Sequence, residues 1–381
     1  MKRFFALFLF AVSVFLHISI CSVPVMASEP SVSAQSACLI DDRGRTVYEK
    51  NADAVMPMAS TTKIMTALVV IEKGDLDRVV TVSDLSIGVE GSSIYLTKGE
   101  RLSIKDLLYA LLLQSANDAA VALACAVSES AEEFAQLMND KARELGLENT
   151  CFANPSGLDA PGHHTTAREL ALLTSHAMKN RTFFEMVSCL KYTCTTDKRS
   201  TLLVNHNKLL YSMEDCVGVK TGYTQRSGRC LVSATEKDGL MLVGVTLNAP
   251  GDWQDHKAMH KYGRGLYELE SWGDKGQMCF CLPVVNGEKS EIFLTNAAEL
   301  SNWNYNGENV KVVTELERFL YAPVEKGQVC GRAVLICDGK EIQSCDIVAL
   351  EDCKERKTPG LWERIVNKIK KITGGLFKWK K

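Results

Sequence analysis

Ser60 and Lys63 stand three residues apart, directly before a stretch with helical periodicity. Residues at this spacing share one helix face, so the serine hydroxyl and the lysine amine are expected to meet. A serine hydroxyl becomes a strong nucleophile when a base takes its proton, and lysine is such a base when burial or a nearby cation lowers its pKa. The same spacing recurs at Ser188 and Lys191, so the pair alone does not establish a nucleophile.

Two further motifs follow in the chain and strengthen this interpretation. Ser115-Ala116-Asn117 follows an apolar helical stretch, and Lys220-Thr221-Gly222 lies in a strand-like run. The order Ser-x-x-Lys, Ser-x-Asn, Lys-Thr-Gly is the signature of β-lactamases and penicillin-binding proteins, whose middle motif is commonly Ser-Asp-Asn. Ala116 here replaces the Asp.

The sequence around these motifs resembles the serine-type D-alanyl-D-alanine carboxypeptidases, which belong to the low-molecular-mass penicillin-binding proteins. The similarity runs from about residue 37 to the tail and includes segments 59–68, 114–120, 154–159, 165–167, 218–224 and 322–328. It implies an α+β fold: a β-lactamase/penicillin-binding transpeptidase-like domain with an antiparallel sheet and a helical lobe, then a small all-β domain and a C-terminal amphipathic helix.

The resemblance also implies catalytic roles. Ser60 attacks the carbonyl of the penultimate D-Ala of a peptidoglycan stem pentapeptide and forms an acyl-enzyme, which water hydrolyses. Lys63 is the general base, and Ser115 relays a proton to the leaving amine. β-Lactam antibiotics acylate the same serine and inhibit the enzyme.

Substrate-binding residues follow from the same resemblance. Asn117 holds the substrate backbone and Lys63, while Lys220 attracts the substrate carboxylate and Thr221 hydrogen-bonds it. Gly222 lets the substrate lie along the strand edge as an added strand. The backbone N–H groups of Ser60 and Tyr223 form the oxyanion hole.

The remaining pattern predicts the elements that position these residues. A hairpin at 37–48 and strands at 230–235 and 241–247 build one sheet, and helices are expected at 61–73, 104–127, 131–145, 166–179 and 255–269. Short β-rich runs between 278 and 350 predict a separate all-β domain. We therefore expect a catalytic domain at 28–272 and an accessory domain at 273–357.

Both ends of the chain suggest export and membrane contact. Lys2 and Arg3 precede an apolar stretch and small residues near position 27, which is typical of a cleaved signal peptide, 1–27. Residues 362–381 contain seven Lys or Arg and one Glu, with apolar residues at helical spacing. Segment 358–381 is therefore predicted to bind an anionic membrane surface, on the outer face of the cytoplasmic membrane.

Composition excludes several other classes. A chain of 381 residues with 46% hydrophobic residues is globular, and its single long apolar run excludes a polytopic membrane protein. The acidic body argues against nucleic-acid binding.

The histidines do not predict a metal site. His256 and His260 have metal-pair spacing but no accompanying carboxylates. His163 is expected to be structural or at a rim, and His206 is a candidate for lining the cleft. No metal or organic cofactor is expected.

Three rival functions remain open at this stage. A class A β-lactamase shares the fold and motifs but requires a Glu that activates the deacylating water. Glu144 and Glu148 occupy a helix end and its exit instead. A DD-endopeptidase differs mainly in the size of the leaving group, and a non-catalytic wall-binding protein would have no chemical need for all of the motifs. The 13 cysteines after the signal are expected to be mostly free thiols, although a disulfide within the C-terminal group of cysteines, from Cys279 to Cys353, remains open.

Overall fold

The computed structural model describes residues 28–357 and 360–372. The chain divides into two units between Leu266 and Tyr267. The boundary expected from the sequence, 272/273, falls at the end of the first strand of the second unit. The expected signal, 1–27, and the last part of the expected anchor, 373–381, lie outside the described residues.

The first unit combines one main sheet with a set of helices. Its elements are β1 (Ser36–Asp41), β2 (Thr46–Lys50), α1 (Lys63–Lys73), β3 (Val79–Thr81), β4 (Arg101–Ser103), α2 (Ile104–Leu113), α3 (Asn117–Val127), α4 (Ala131–Glu144), α5 (Ala167–Met178), α6 (Arg181–Ser188), β5 (Lys191–Thr195), β6 (Ser200–Val204), α7 (Leu209–Ser212), β7 (Cys216–Thr224), β8 (Gly228–Lys237), β9 (Leu240–Leu247) and α8 (Asp252–Arg264).

The main sheet is antiparallel, with spatial order β2-β1-β9-β8-β7. The first two and last three of these strands come from opposite ends of the unit, as the sequence pattern predicts. β7 lies at one edge of the sheet, so one side of its backbone is not used by the sheet. β3 and β4 form one small hairpin, and β5 and β6 form another.

The helices have local start signals and a shared apolar core. Ser103, Ser130 and Thr166 each accept a hydrogen bond from the backbone N–H three residues later and so cap α2, α4 and α5. In α1, every residue from Lys63 to Ile71 is buried, which makes it a central core helix. The apolar stretch 104–127 forms two helices rather than one, because the chain turns at Ser115.

The second unit is mainly β-structure. It contains β10 (Tyr267–Gly273), β11 (Phe280–Val285), β12 (Glu291–Asn296), β13 (Leu300–Tyr305), β14 (Val310–Leu316), β15 (Leu320–Tyr321), β16 (Val329–Cys337), β17 (Lys340–Ala349) and α9 (Leu361–Ile372). A six-stranded sheet has the order β14-β16-β17-β12-β11-β15, and β10 pairs with β13. No helix in the described part of the chain is both long and apolar enough to cross a bilayer.

The helix expected at 255–269 is partly wrong. α8 ends at Arg264, with Gly265 as its C-cap, and Leu269 belongs to β10, where it pairs with Trp303 of β13. The apolar residues after the helix therefore continue its period but take part in a long-range strand pair. No disulfide joins the 13 cysteines of the described residues, including those from Cys279 to Cys353.

Candidate active site

Ser60 lies in a 3₁₀ turn, Ala59–Thr62, directly before α1 rather than inside it. Thr61 and Thr62 close this turn, because each hydroxyl donates to the backbone carbonyl three residues earlier, at 2.6 and 2.7 Å. Side chains three apart are eclipsed in a 3₁₀ turn. The Lys63 amine therefore lies against Ser60, with Nζ 2.9 Å from Oγ.

The Lys63 amine has three hydrogen-bond partners. Besides Ser60, it donates to Asn117 Oδ1 at 2.7 Å and to the backbone carbonyl of Ser156 at 2.5 Å. Burial lowers the pKa of Lys63 well below its usual value; the charge of Lys220 lowers it further, and Asp118 opposes the shift. A neutral amine at this position can accept the Ser60 proton.

Asn117, the first residue of α3, has a fixed orientation. Its Nδ2 donates to the Glu90 carbonyl at 2.5 Å, so its Oδ1 faces Lys63 as an acceptor. Its backbone N–H donates to the Ser92 carbonyl at 2.7 Å. Gly91 completes this contact, because a Cβ there would lie 2.7 Å from Asn117 Nδ2. The segment before α2 thus orients an amide that contacts the lysine.

Ser115 lies at the turn between α2 and α3 and is buried, with a φ of 58°. This left-handed conformation is uncommon for a residue with a side chain. Asp118 fastens the neighbouring loop to the same helix end, since its carboxylate accepts from Ser93 Oγ, Ile94 N and Leu96 N. The second motif is therefore held at a helix junction close to Lys63.

The third motif lies on the edge strand β7. Gly222 approaches the serine turn closely, because a Cβ at this residue would stand 3.0 Å from the backbone nitrogen of Ser60. Lys220 is fully buried and donates to the Thr221 carbonyl at 2.8 Å; burial lowers its pKa to about 7. Thr221 is half-buried, whereas Tyr223 is exposed. The structure thus brings residues of the three predicted motifs together around Ser60 and Lys63.

A loop outside the three motifs also reaches the site. His163 Nδ1 accepts from Ala153 N at 3.0 Å, so Nε2 carries the proton and donates to Thr62 Oγ1 at 2.7 Å. Burial lowers the pKa of His163 to about 4, which keeps the ring neutral. His163 is therefore a structural link to the 3₁₀ turn that carries Ser60. The contribution of Ser156 is a backbone carbonyl. The resemblance to the family included its segment, 154–159, but gave that segment no role.

The sequence singled out three further histidines, His206, His256 and His260. His206 is exposed on the surface overall. Its ring is nevertheless partly removed from water, and this desolvation together with the charge of Lys220 lowers its pKa. His256 and His260 are buried, and their four ring nitrogens contact hydroxyl groups on β8 and β9 at 2.5–3.0 Å. Because all four nitrogens have partners, this pair does not form an open metal site.

Comparison with known families agrees with this geometry. Residues 24–251 match the family model described as D-alanyl-D-alanine carboxypeptidase. The chain belongs to this family. Residues 267–355 of the carboxypeptidase match the penicillin-binding protein 5 C-terminal domain. The prediction of a serine-type carboxypeptidase among the low-molecular-mass penicillin-binding proteins is therefore confirmed.

Individual relatives of the carboxypeptidase cover most of its length. The D-alanyl-D-alanine carboxypeptidase DacF of Bacillus subtilis is 33% identical over 88% of this chain and 92% of its own. Penicillin-binding protein 5 from Haemophilus influenzae has a structure with a TM-score of 0.62 and 28% identity, covering 86% of this chain and all of its own. The DD-transpeptidase of Streptomyces K15 is 33% identical, with a TM-score of 0.59 over 63% of this chain and 100% of its own. The predicted fold class is confirmed by these similarities.

Proposed function

We propose that this carboxypeptidase removes the terminal D-Ala from peptidoglycan stem pentapeptides through an acyl-enzyme on Ser60. The observation that carries the proposal is the position of the Lys63 amine, which is fully buried and lies 2.9 Å from Ser60 Oγ. A buried lysine with a lowered pKa is a base that can act near neutral pH.

Acylation proceeds with Ser60 Oγ attacking the carbonyl carbon of the penultimate D-Ala while its proton moves to Lys63 Nζ. The carbonyl oxygen becomes an oxyanion, which the backbone N–H groups of Ser60 and Tyr223 stabilise. The bond from carbon to the terminal D-Ala nitrogen then breaks. Ser115 gives its hydroxyl proton to that nitrogen and takes the proton held by Lys63 in exchange, so free D-Ala leaves and Lys63 is neutral again.

Substrate binding follows from the residues on either side of the nucleophile. Lys220, when protonated, attracts the terminal carboxylate, and the Thr221 hydroxyl donates a hydrogen bond to it. The substrate backbone pairs with the edge of β7, where Gly222 allows close approach. Asn117 donates its remaining amide hydrogen to the substrate backbone.

Deacylation uses the same base. Water attacks the ester carbon and loses a proton to Lys63, the bond to Ser60 Oγ breaks, and the serine regains its proton. The stem tetrapeptide leaves with a new carboxylate. A β-lactam places its ring carbonyl where the peptide carbonyl would lie, so penicillins acylate Ser60 as well and inhibit the enzyme.

The C-terminal helix α9 supports a location at a membrane surface. Trp362, Ile365, Val366 and Ile369 are exposed apolar residues, and Arg364, Lys368 and Lys371 are exposed cations on the same helix. An amphipathic helix of this composition lies in the interface of an anionic bilayer. With export through segment 1–27, the enzyme would face the wall from the outer side of the cytoplasmic membrane.

D-Alanine release from a stem pentapeptide tests the proposal. The full-length protein, Ser60→Ala and the matched control Ser188→Ala, which alters the second Ser-x-x-Lys segment, are compared, and penicillin turnover is measured in parallel. We expect release by the wild type and by Ser188→Ala but not by Ser60→Ala. Rapid penicillin turnover without D-alanine release would instead favour the β-lactamase alternative.

A further inference from the structure

The directions of the hydrogen bonds around Lys63 determine where its proton can move. The amine nitrogen has three positions besides its bond to carbon. The carbonyl oxygens of Asn117 and Ser156 can only accept, so each of them requires one N–H of Lys63. The third position faces Ser60 Oγ. It holds the lone pair when Lys63 is neutral and an N–H when Lys63 is charged.

The Asn117 carbonyl is oriented by its own contact with Glu90, but the Ser156 carbonyl depends on a turn. Asn154 builds this turn: its Oδ1 accepts from Ser156 N at 3.1 Å, Ser156 Oγ at 3.0 Å and Gly157 N at 2.7 Å. Its Nδ2 donates to the Leu158 carbonyl at 2.8 Å. One side chain therefore sets the backbone direction on both sides of the Ser156 carbonyl.

The turn is also fixed against the helix that carries Lys63. Thr66 of α1 donates its hydroxyl hydrogen to the Pro155 carbonyl at 2.7 Å. Gly157 packs against the carbonyl of Ala59, leaving no room for a side chain. The Ser156 carbonyl consequently has one direction available, and that direction is toward the amine.

We infer that Asn154 is a positioning residue for the reaction: it holds the Ser156 carbonyl against Lys63 and thereby directs the third position of the amine at Ser60. The inference deepens the proposed function and rests on the role of Lys63 as the base. Without Asn154, the carbonyl turns away and one N–H of the amine competes for Ser60. The lone pair then points at the hydroxyl for a smaller fraction of the time.

The loss of Asn154 should change the pH dependence of acylation, which a simple loss of structure would not do. The Ser156 carbonyl stabilises the charged form of Lys63, so moving it away lowers the pKa of Lys63 further. The other charged groups that act on the amine, Lys220 and Asp118, are unchanged. In Asn154→Ala the acylation rate should therefore begin to rise at lower pH, so the acid limb of the pH profile moves down. The plateau, which is the highest rate reached, should also be lower.

The test measures acylation of the full chain by a fluorescent penicillin across pH, with thermal unfolding alongside. Asn154→Ala removes the acceptor, whereas Asn154→Asp retains it. Asn139→Ala is the matched control, because Asn139 holds Phe152 of the same loop by two hydrogen bonds of 2.8 Å and does not contact Lys63. Ser60→Ala reports on the proposed function separately.

For Asn154→Ala we expect a plateau reduced by about 10- to 100-fold, the cost of misplacing a catalytic group, with the acid limb at lower pH. The plateau rate of Asn154→Asp returns to within about 3-fold of the wild type, with its acid limb at higher pH because the added carboxylate favours charged Lys63. Asn139→Ala keeps the wild-type rate and profile. An unshifted profile in Asn154→Ala, or an equal loss in Asn139→Ala, overturns the inference. If Asn154→Ala does not fold, Asn154→Asp provides the test instead. A folded Asn154→Asp variant that loses as much acylation rate as is expected for Asn154→Ala also overturns the inference. Labelling of Ser60→Ala would contradict the proposed function instead.

Discussion

Gly157 lies so close to Ala59 that a Cβ on Gly157 would stand 2.0 Å from the Ala59 carbonyl oxygen. Gly157 also has a φ of +87°, a conformation that residues with side chains rarely adopt. The turn that supplies the Ser156 carbonyl and the turn that carries Ser60 therefore pack backbone against backbone. This contact fixes the distances from the Lys63 amine to Ser60 and to the Ser156 carbonyl.

Substitution of Gly157 is expected to abolish acylation. Gly157→Ala forces the two turns apart, so its rate of labelling by penicillin should fall by at least about 100-fold. Gly162→Ala is the matched control: Gly162 lies in the same loop with φ +78°, but nothing lies within 4 Å of its missing Cβ. It should lose about 1 kcal/mol of unfolding free energy and keep its activity. Equal rates in the two variants would show that the contact does not matter.

The pH dependence of kcat/KM for D-alanine release should be bell-shaped. Lys63 must be neutral, so the rate rises with pH through the lowered pKa of Lys63. Lys220 must be charged to attract the substrate carboxylate, so the rate falls as pH rises through its pKa of about 7. The bound carboxylate raises the pKa of Lys220, so the alkaline limb of kcat lies at higher pH than that of kcat/KM.

Lys220→Arg separates the two limbs, since arginine keeps its charge throughout this range. The variant should lose the alkaline limb near pH 7, whatever its plateau rate. Lys191→Arg, a surface substitution on β5, should retain the wild-type profile. An alkaline limb that persists unchanged in Lys220→Arg would assign it to another group.

The buried histidine pair should make the first unit sensitive to acid. Burial lowers the pKa of His260 to about 3 and that of His256 well below its usual value. The unfolded chain therefore binds more protons below about pH 6.5, and stability is lost as pH falls from there toward 3. His260 accounts for about 2 kcal/mol of unfolding free energy between pH 7 and pH 5, and His256 acts in the same direction.

His260→Gln tests this expectation by urea unfolding at the two pH values. The variant is less stable at pH 7, because Ser233 and Thr235 lose ring partners, but its stability falls less on acidification. The acid-stability account fails if His260→Gln and the wild type lose equal stability between pH 7 and pH 5.

Binding to anionic vesicles should depend on the apolar stripe of α9. Ile369→Glu places a charge among the exposed apolar residues and should weaken sedimentation with such vesicles by about 10-fold or more. Asn367→Glu adds the same charge to the helix at a position outside the apolar stripe, so it is the matched control and should weaken binding only modestly. Equal losses in both variants would indicate general electrostatic attraction without insertion.

The sequence predicted which side chains come together around Ser60. Ser60, Lys63, Asn117 and Lys220 belong to motifs whose residue types state their chemistry, and hydrophobic periodicity gave the main sheet and most helices. The 3₁₀ turn at Ser60 and the turn at Ser115 lie next to or within stretches whose apolar residues have helical spacing. Hydrophobic periodicity therefore did not predict either turn.

The contribution of the 153–163 loop could not be predicted in the same way. Ser156 acts through its carbonyl group, which every residue has, and Asn154 acts through hydrogen bonds to the backbone that any turn asparagine can make. The strand β10 was missed for a related reason: its partner β13 lies some 30 residues away, and local periodicity does not report long-range pairing.

The most direct test of the account is the mass of the protein quenched during reaction with penicillin, followed by mapping of the modified peptide. We expect one adduct per chain, on Ser60, absent from Ser60→Ala and formed far more slowly in Lys63→Met. An adduct on any other residue, or an adduct that forms at the wild-type rate in Lys63→Met, would contradict the assignment of this serine and lysine as nucleophile and base.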